Sequence, residues 1–324
     1  MSFLFMTRKI SEDDLVDLHG KVVVITGGNS GIGFATVQFL ARKGAKVYMA
    51  CRREEAYKDA VRQLENAGLG DGTVRWLHLD LSDPRHASSA AEELLKKEDR
   101  LDVLINNAAR GAGPWTITKD GIRESMNTNY FSHFLFTEML LPLMIKTSKE
   151  EGSDVRIVNL TSGIHASIAP ETFKDKESWN IDYGNTTIGG VKFYALSKLA
   201  NILHIKHLQD RLDSQQADIT CISVNPAATA TDNLSRWINS MPYLLGIVMW
   251  TISFFFASPR EGAMNSAYAA ASPEVKARVN EFKGAYLDPV GRITTPSSCA
   301  RDERLARELY ETSLDITAEL TLND

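Results

Sequence analysis

Basic clusters, paired cysteines, metal-spaced histidines and linker-like stretches are all missing from this chain. Its 36 Lys and Arg are outnumbered by 41 Asp and Glu, for a net charge of -5. No basic strand interleaved with aromatics occurs, which excludes an extended nucleic-acid surface. The three cysteines, Cys51, Cys221 and Cys299, are widely spaced. They fit a reducing compartment and neither a disulfide scaffold nor a zinc site. The seven His show no metal-ligand spacing, so no metal is expected. The N-terminal MSFLFMTRKISEDD lacks a basic region ahead of a long apolar core and does not read as a signal peptide. With no Pro/Gly-rich linker and no repeat, the expected organisation is an extension over 1–17, able to pack on the domain or touch a membrane surface, and one domain over 18–324. The protein is expected to be cytoplasmic, with peripheral membrane association as the alternative.

What is present is a globular-enzyme composition, 44% hydrophobic and 24% charged, in a chain long enough for a large α/β core. KVVVITGG (21–28) is a continuous Val/Ile run, the mark of a parallel strand buried on both faces. A glycine-rich turn and an amphipathic helix follow. Further strands are expected at 45–51, 74–81, 101–109, 155–162 and 218–227, with a short one near 284–287. Helices are expected at about 53–67, 84–98, 121–143 and 261–271, with another carrying Tyr194. A charged, solvent-facing helix is expected at 301–312. Strands alternating with helices of this length predict a doubly wound, mostly parallel α/β sheet with helices on both faces, a Rossmann fold.

The first turn, TGGNSGIG (26–33), spaces Gly27, Gly31 and Gly33 so that backbone can approach a pyrophosphate held at a helix N-terminus. Asn29, Ser30 and Ile32 complete that turn. At the end of the second strand an NAD site tends to carry a carboxylate, yet here the chain reads Ala50-Cys51-Arg52-Arg53. Two guanidinium groups suit a 2′-phosphate, which favours NADP(H); Arg53 has a rival role as a helix start. Asp80, followed by Leu81, is placed to accept the adenine amino group, with helix N-capping as its alternative. NNAA (106–109) ends the fourth strand, where Asn106 and Asn107 can bond backbone and cofactor groups and Ala108 would meet the cofactor.

In FYALSKLANIL (193–203), Tyr194 and Lys198 lie four residues apart, on one helical face. A neighbouring ammonium favours phenolate, so Lys198 is expected to lower the Tyr194 pKa from roughly 10.

In combination, DLHGKVVVITGGNSGIG, MACRR, LDL, INNAA, NYFSHF, RIVNLTSGIH and YALSKLAN resemble the short-chain dehydrogenase/reductase family over about 18–271. The LSKLAN and ACR wording is similar to its retinol dehydrogenase-like and WW-domain oxidoreductase-like subgroup and to fungal biosynthetic reductases. The resemblance implies that Tyr194 is the acid/base and that Lys198 binds the nicotinamide ribose. It further implies that Ser162 bonds the reacting oxygen, with Thr161 a lesser candidate. Asn129, in preference to Asn127, would keep the local structure of its helix and a water in the proton relay. Pro226, Thr229 and Thr231 match the segment near the carboxamide and pyrophosphate. Ala109 and Ala227 stand where the family usually has Gly. The family often pairs through its long helices, so both a homodimer and a monomer are compatible.

The implied activity is NADP-dependent reduction of an apolar ketone or aldehyde, such as a secondary-metabolite intermediate. The alternatives are an alcohol or retinol-like dehydrogenase acting oxidatively, a cofactor-binding protein without turnover, and an epimerase or dehydratase. Two insertions, 163–192 and 232–259, face the substrate side. Trp179, Tyr183 and Phe193 either line the pocket or pack the first one down. Residues 237–259 carry no charge and read as a lid, a subunit contact or a peripheral membrane contact. Pro242 and Gly246 argue against a membrane span.

Overall fold

Strand β1 (Val22–Thr26) is buried along its whole length, as a Val/Ile run covered on both faces must be. The structure, a computed structural model, describes residues 10–113, 116–226, 257–288 and 290–322. Within them β2 (Lys46–Cys51), β3 (Thr73–His78), β4 (Val103–Asn106), β5 (Val155–Leu160), β6 (Ile219–Val224), β7 (Tyr286–Leu287) and β8 (Ile293–Thr294) join β1 in one sheet. Its order is β3-β2-β1-β4-β5-β6-β7-β8. Every neighbouring pair is parallel except β7 with β8. The chain winds outward from β1 to β3, then returns to β4 on the other side of β1. That reversal makes the switch point of a doubly wound Rossmann sheet, where ligands bind beyond the strand C-termini.

Side chains alternate across the sheet. Val23, Ile25, Val47 and Met49 face one way, toward α1 (Gly31–Arg42), α2 (Glu54–Ala67) and the later α8 (Pro259–Ala271). Val22, Val24, Tyr48 and Ala50 face α3 (Pro84–Lys97), α5 (Ser132–Ser148) and α7 (Thr187–Ser214). Ahead of α5, a short α4 (Glu124–Met126) passes through a π-helical turn, Asn127–Phe131. A third cluster lies outside α5 and α7. It holds α6 (Lys176–Trp179), Phe173, and the terminal helix α11 (Glu303–Leu322). Two short helices, α9 (Pro273–Ala277) and α10 (Val279–Phe282), join α8 to β7. Among the described residues no helix is long and apolar enough to cross a membrane.

Two expectations need correcting, one open alternative is decided and one strand was not expected. The fourth strand ends at Asn106 and not at 109, because the next two N–H groups, of Asn107 and Ala108, turn to Thr26 Oγ1, each at 2.9 Å. The terminal helix runs ten residues further than expected, to Leu322, and only its outer face is solvated. Leu305, Leu309, Ile316 and Leu320 recur at helical spacing and pack inward on the third cluster. Trp179 is completely buried against Tyr130 and Phe131, so it anchors the 163–192 insertion and lines no pocket. The antiparallel β8, two residues long, was not anticipated.

Candidate active site

A cleft of about 480 Å³ opens over the C-terminal ends of β1, β2, β4 and β5, at the switch point. Gly27, Asn29, Ser30, Gly31, Ile32 and Gly33 form one wall. Gly27 and Gly31 have φ of 66° and 56°, the left-handed region that glycine enters freely. Gly33 is there for closeness: a Cβ on it would stand 2.3 Å from the Gly27 carbonyl oxygen. Ser30 gives α1 no side-chain cap, and its first turn holds no acid. The first residues of that helix, Gly31, Ile32 and Gly33, line the cleft, and a helix N-terminus left uncapped can receive an anion.

At the β2 end, Cys51 and Arg52 line the cleft, whereas Arg53 does not; Arg53 is the N-cap residue of α2. Arg52 is 65% exposed, and its Nε lies 3.8 Å from Asp80 Oδ2. Asp80 accepts the Ser82 N–H at 3.0 Å, and Asp83, not Asp80, caps α3. Leu81 and Ala108 lie on the cleft wall, as does Ala109. Asn106 does not: its amide donates to Thr137 Oγ1 (3.0 Å) and Asn159 Oδ1 (2.8 Å) beneath the cleft. Its neighbour Asn107 braces the glycine turn, donating to the Thr26 carbonyl at 2.7 Å. Pro226 lines the cleft; Thr229, Thr231 and Ala227 lie outside the described residues.

Tyr194 and Lys198 both line the cleft from α7. The Lys198 ammonium sits 5.5 Å from the Tyr194 ring centroid and donates to the Leu160 carbonyl at 2.9 Å. Burial dominates their ionisation. It pushes the phenol up to about 12 and the ammonium down to about 7. In this geometry burial shifts Tyr194 opposite to the expected lowering, while the Lys198 ammonium is engaged by the Leu160 carbonyl.

Asn129, in the π turn, is wholly buried and acts as a clamp. Its Oδ1 accepts the Arg110 N–H at 2.7 Å and its amide donates to the Arg110 carbonyl at 3.0 Å. The same amide donates to Ser197 Oγ (2.9 Å), which donates to the Tyr194 carbonyl (2.7 Å). Asn127 instead donates to the carbonyls of Leu81 and Ser82. Ser162 accepts the Ile164 N–H at 3.3 Å as an N-cap and is not among the cleft-lining residues. Thr161 lines the cleft, but its hydroxyl proton goes to the Lys198 carbonyl at 2.7 Å.

Several members of this assembly were missed in the sequence: Thr26, His133, Ser197 and Asn201. Thr26 Oγ1 accepts two N–H groups, so its own proton goes to His133 Nε2 at 2.8 Å. The other ring nitrogen of His133 then donates to the Asn129 carbonyl at 3.2 Å. Burial pushes His133 down to about 3, which keeps that ring neutral. Ser197 was the most accessible of these, lying three residues after Tyr194 on the same helix.

Residues 21–171 match the short chain dehydrogenase family. A short-chain dehydrogenase/reductase of Armillaria gallica is 40% identical over 307 residues, spanning 95% of this chain and 96% of the relative. The chain belongs to the short-chain dehydrogenase/reductase family. Retinol dehydrogenase 14 of Mus musculus is 35% identical over 311 residues, covering 91% and 85% of the two chains. A crystal structure of an uncharacterized protein from Mycobacterium paratuberculosis superposes with a TM-score of 0.70 at 27% identity, covering 95% and 97%. As a short-chain dehydrogenase/reductase, the protein is an oxidoreductase acting on a small-molecule carbonyl or alcohol.

Proposed function

We propose that the protein is an NADP(H)-dependent reductase of an apolar ketone or aldehyde. The observation that carries this reading is convergence on one cleft: the glycine turn, Arg52, Tyr194 and Lys198 all line it. The residues fit the dinucleotide. The uncapped N-terminus of α1 suits the diphosphate, Arg52 a 2′-phosphate, Asp80 the adenine, and Lys198 the nicotinamide ribose hydroxyls. Bound there, NADPH supplies a hydride to the carbonyl carbon.

The chain's own residues supply position and protons. Tyr194, held as a phenol by burial, is protonated at neutral pH and suited to donate to the developing alkoxide. Direction follows the cellular cofactor ratio, so a preference for NADP(H) favours reduction over the oxidative retinol dehydrogenase-like reading. Ser162 stands just outside the cleft lining, beside Thr161, and is proposed to share the reacting oxygen with its hydroxyl proton, which the N-cap bond it accepts does not require. Lys198 would return a proton to Tyr194. Asn129 holds the Arg110 loop and the first turns of α7 in register.

The apolar substrate rests on the uncharged 237–259 stretch of sequence, which lies outside the described residues. The test compares turnover of NADPH with apolar ketones against NADP+ with the matching alcohols. Faster reduction with NADPH than with NADH is expected. Equal rates with either cofactor, or turnover without any nicotinamide absorbance change, would overturn the proposal.

A further inference from the structure

The Leu160 carbonyl sits one residue beyond the last β4–β5 pair, Asn106 with Asn159, on a residue only 4% exposed. It receives two side-chain donors from one face of α7. Lys198 Nζ donates at 2.9 Å and Asn201 Nδ2 at 3.1 Å. Both donors are themselves buried, at 2% and 3% exposure. A carbonyl oxygen has two lone pairs, so the two bonds coexist. They differ in what else they can do. Lys198 reaches the cleft wall; Asn201 does not line the cleft.

We propose that Asn201 is a positioning residue for Lys198, keeping the Leu160 carbonyl satisfied when the lysine turns from it to the ribose of the cofactor. The inference rests on the cofactor reading given above. Its physical content is a cost avoided. Without Asn201, the turn of Lys198 strands a buried acceptor, and an acceptor stripped of its donor in the interior bears its full desolvation penalty. The lysine is then held against β5, and cofactor binding is weakened by whatever that tether costs. With Asn201 in place, Lys198 exchanges one bond for another and nothing is orphaned. The backbone carbonyl of Asn201 accepts the Asn159 amide at 3.4 Å. That bond survives any side-chain replacement, so the link between α7 and β5 is not wholly lost in the variants.

The test measures equilibrium NADPH binding by cofactor fluorescence on the full chain, as a double-mutant cycle. Asn201→Leu and Asn201→Ala both remove the donor while changing volume in opposite directions, which separates the hydrogen bond from packing. Each is expected to raise the dissociation constant about tenfold when Lys198 is present. In a Lys198→Met background, where there is no lysine to release, each is expected to change it by no more than about twofold. Asn201→Ser, which retains a donor, should recover part of the loss. An equal loss in both backgrounds, or no loss in folded Asn201→Leu and Asn201→Ala proteins, overturns the proposal. Should the wild type fail to bind NADPH at all, the cofactor reading falls and takes this inference with it. Normal wild-type binding without coupling removes only the role of Asn201.

Discussion

Lys198→Met should change how stability depends on pH, in a window set by burial of the ammonium. In the folded protein that group titrates at about 7, against 10.5 when solvated. At about 1.4 kcal/mol per pH unit, the difference amounts to about 5 kcal/mol in all. The sign follows from proton counting. Below pH 7 both folded and unfolded chains carry the proton, and the folded state bears the whole cost of a buried charge. Between about pH 7 and 10.5 the unfolded chain binds the proton and the folded one releases it, so stability rises with pH. The neighbours do not blur this window. Tyr194 is pushed up to about 12 and His133 down to about 3 by burial, so both stay neutral across it. From about pH 7 to pH 9 the wild type should gain about 2 kcal/mol relative to Lys198→Met. Urea unfolding of the cofactor-free proteins at several pH values measures this directly, because all other titrations cancel in the difference. Parallel profiles for the two proteins would show that Lys198 is solvated in the folded state and would refute the reasoning.

Other outcomes follow from the same geometry. Tyr194→Phe should lower kcat by roughly 10²–10⁴-fold while leaving NADPH binding and the unfolding midpoint nearly unchanged; wild-type turnover would remove the tyrosine from the chemistry. Arg52→Asp should weaken NADPH relative to NADH by about 10- to 100-fold in kcat/KM, the worth of a charge-assisted phosphate contact. An unchanged cofactor ratio would show that Arg52 does not meet the 2′-phosphate. Trp179→Ala should cost about 3–5 kcal/mol in urea unfolding, since the side chain is fully buried among Tyr130 and Phe131. A changed substrate range at unchanged stability would instead return it to the pocket wall. Gly33→Ala should abolish NADPH binding in a folded protein, because its methyl would collide with the Gly27 carbonyl; retained affinity would mean that the turn can open.

The sequence was sufficient wherever a residue's role depends on its near neighbours along the chain. The Val/Ile run of β1, the glycine spacing of 27, 31 and 33, and the four-residue step from Tyr194 to Lys198 are such cases. Backbone sterics and helical or strand period act over a few residues, so they leave a readable pattern. The doubly wound α/β class followed from strand and helix alternation by the same logic; the strand order came only with the structure. Where bonds join distant segments, no such pattern exists. Asn106 was expected in the cofactor site and instead bonds Thr137 and Asn159. Asn201 looked like one more residue of a helix until the Leu160 carbonyl appeared beside it. The terminal helix read as solvent-facing from its charges, yet its leucine stripe found α7. Most telling is the pair of Tyr194 and Lys198 itself. Four-residue spacing put Lys198 near Tyr194, and from spacing alone a lowered phenol pKa follows. Only the tertiary structure showed that the ammonium is buried and drawn to the Leu160 carbonyl of β5, while Tyr194 is half-buried at the cleft wall. Desolvation is a property of everything packed around a side chain, not of the residues beside it in the chain, and here it reverses the direction in which Tyr194 is shifted.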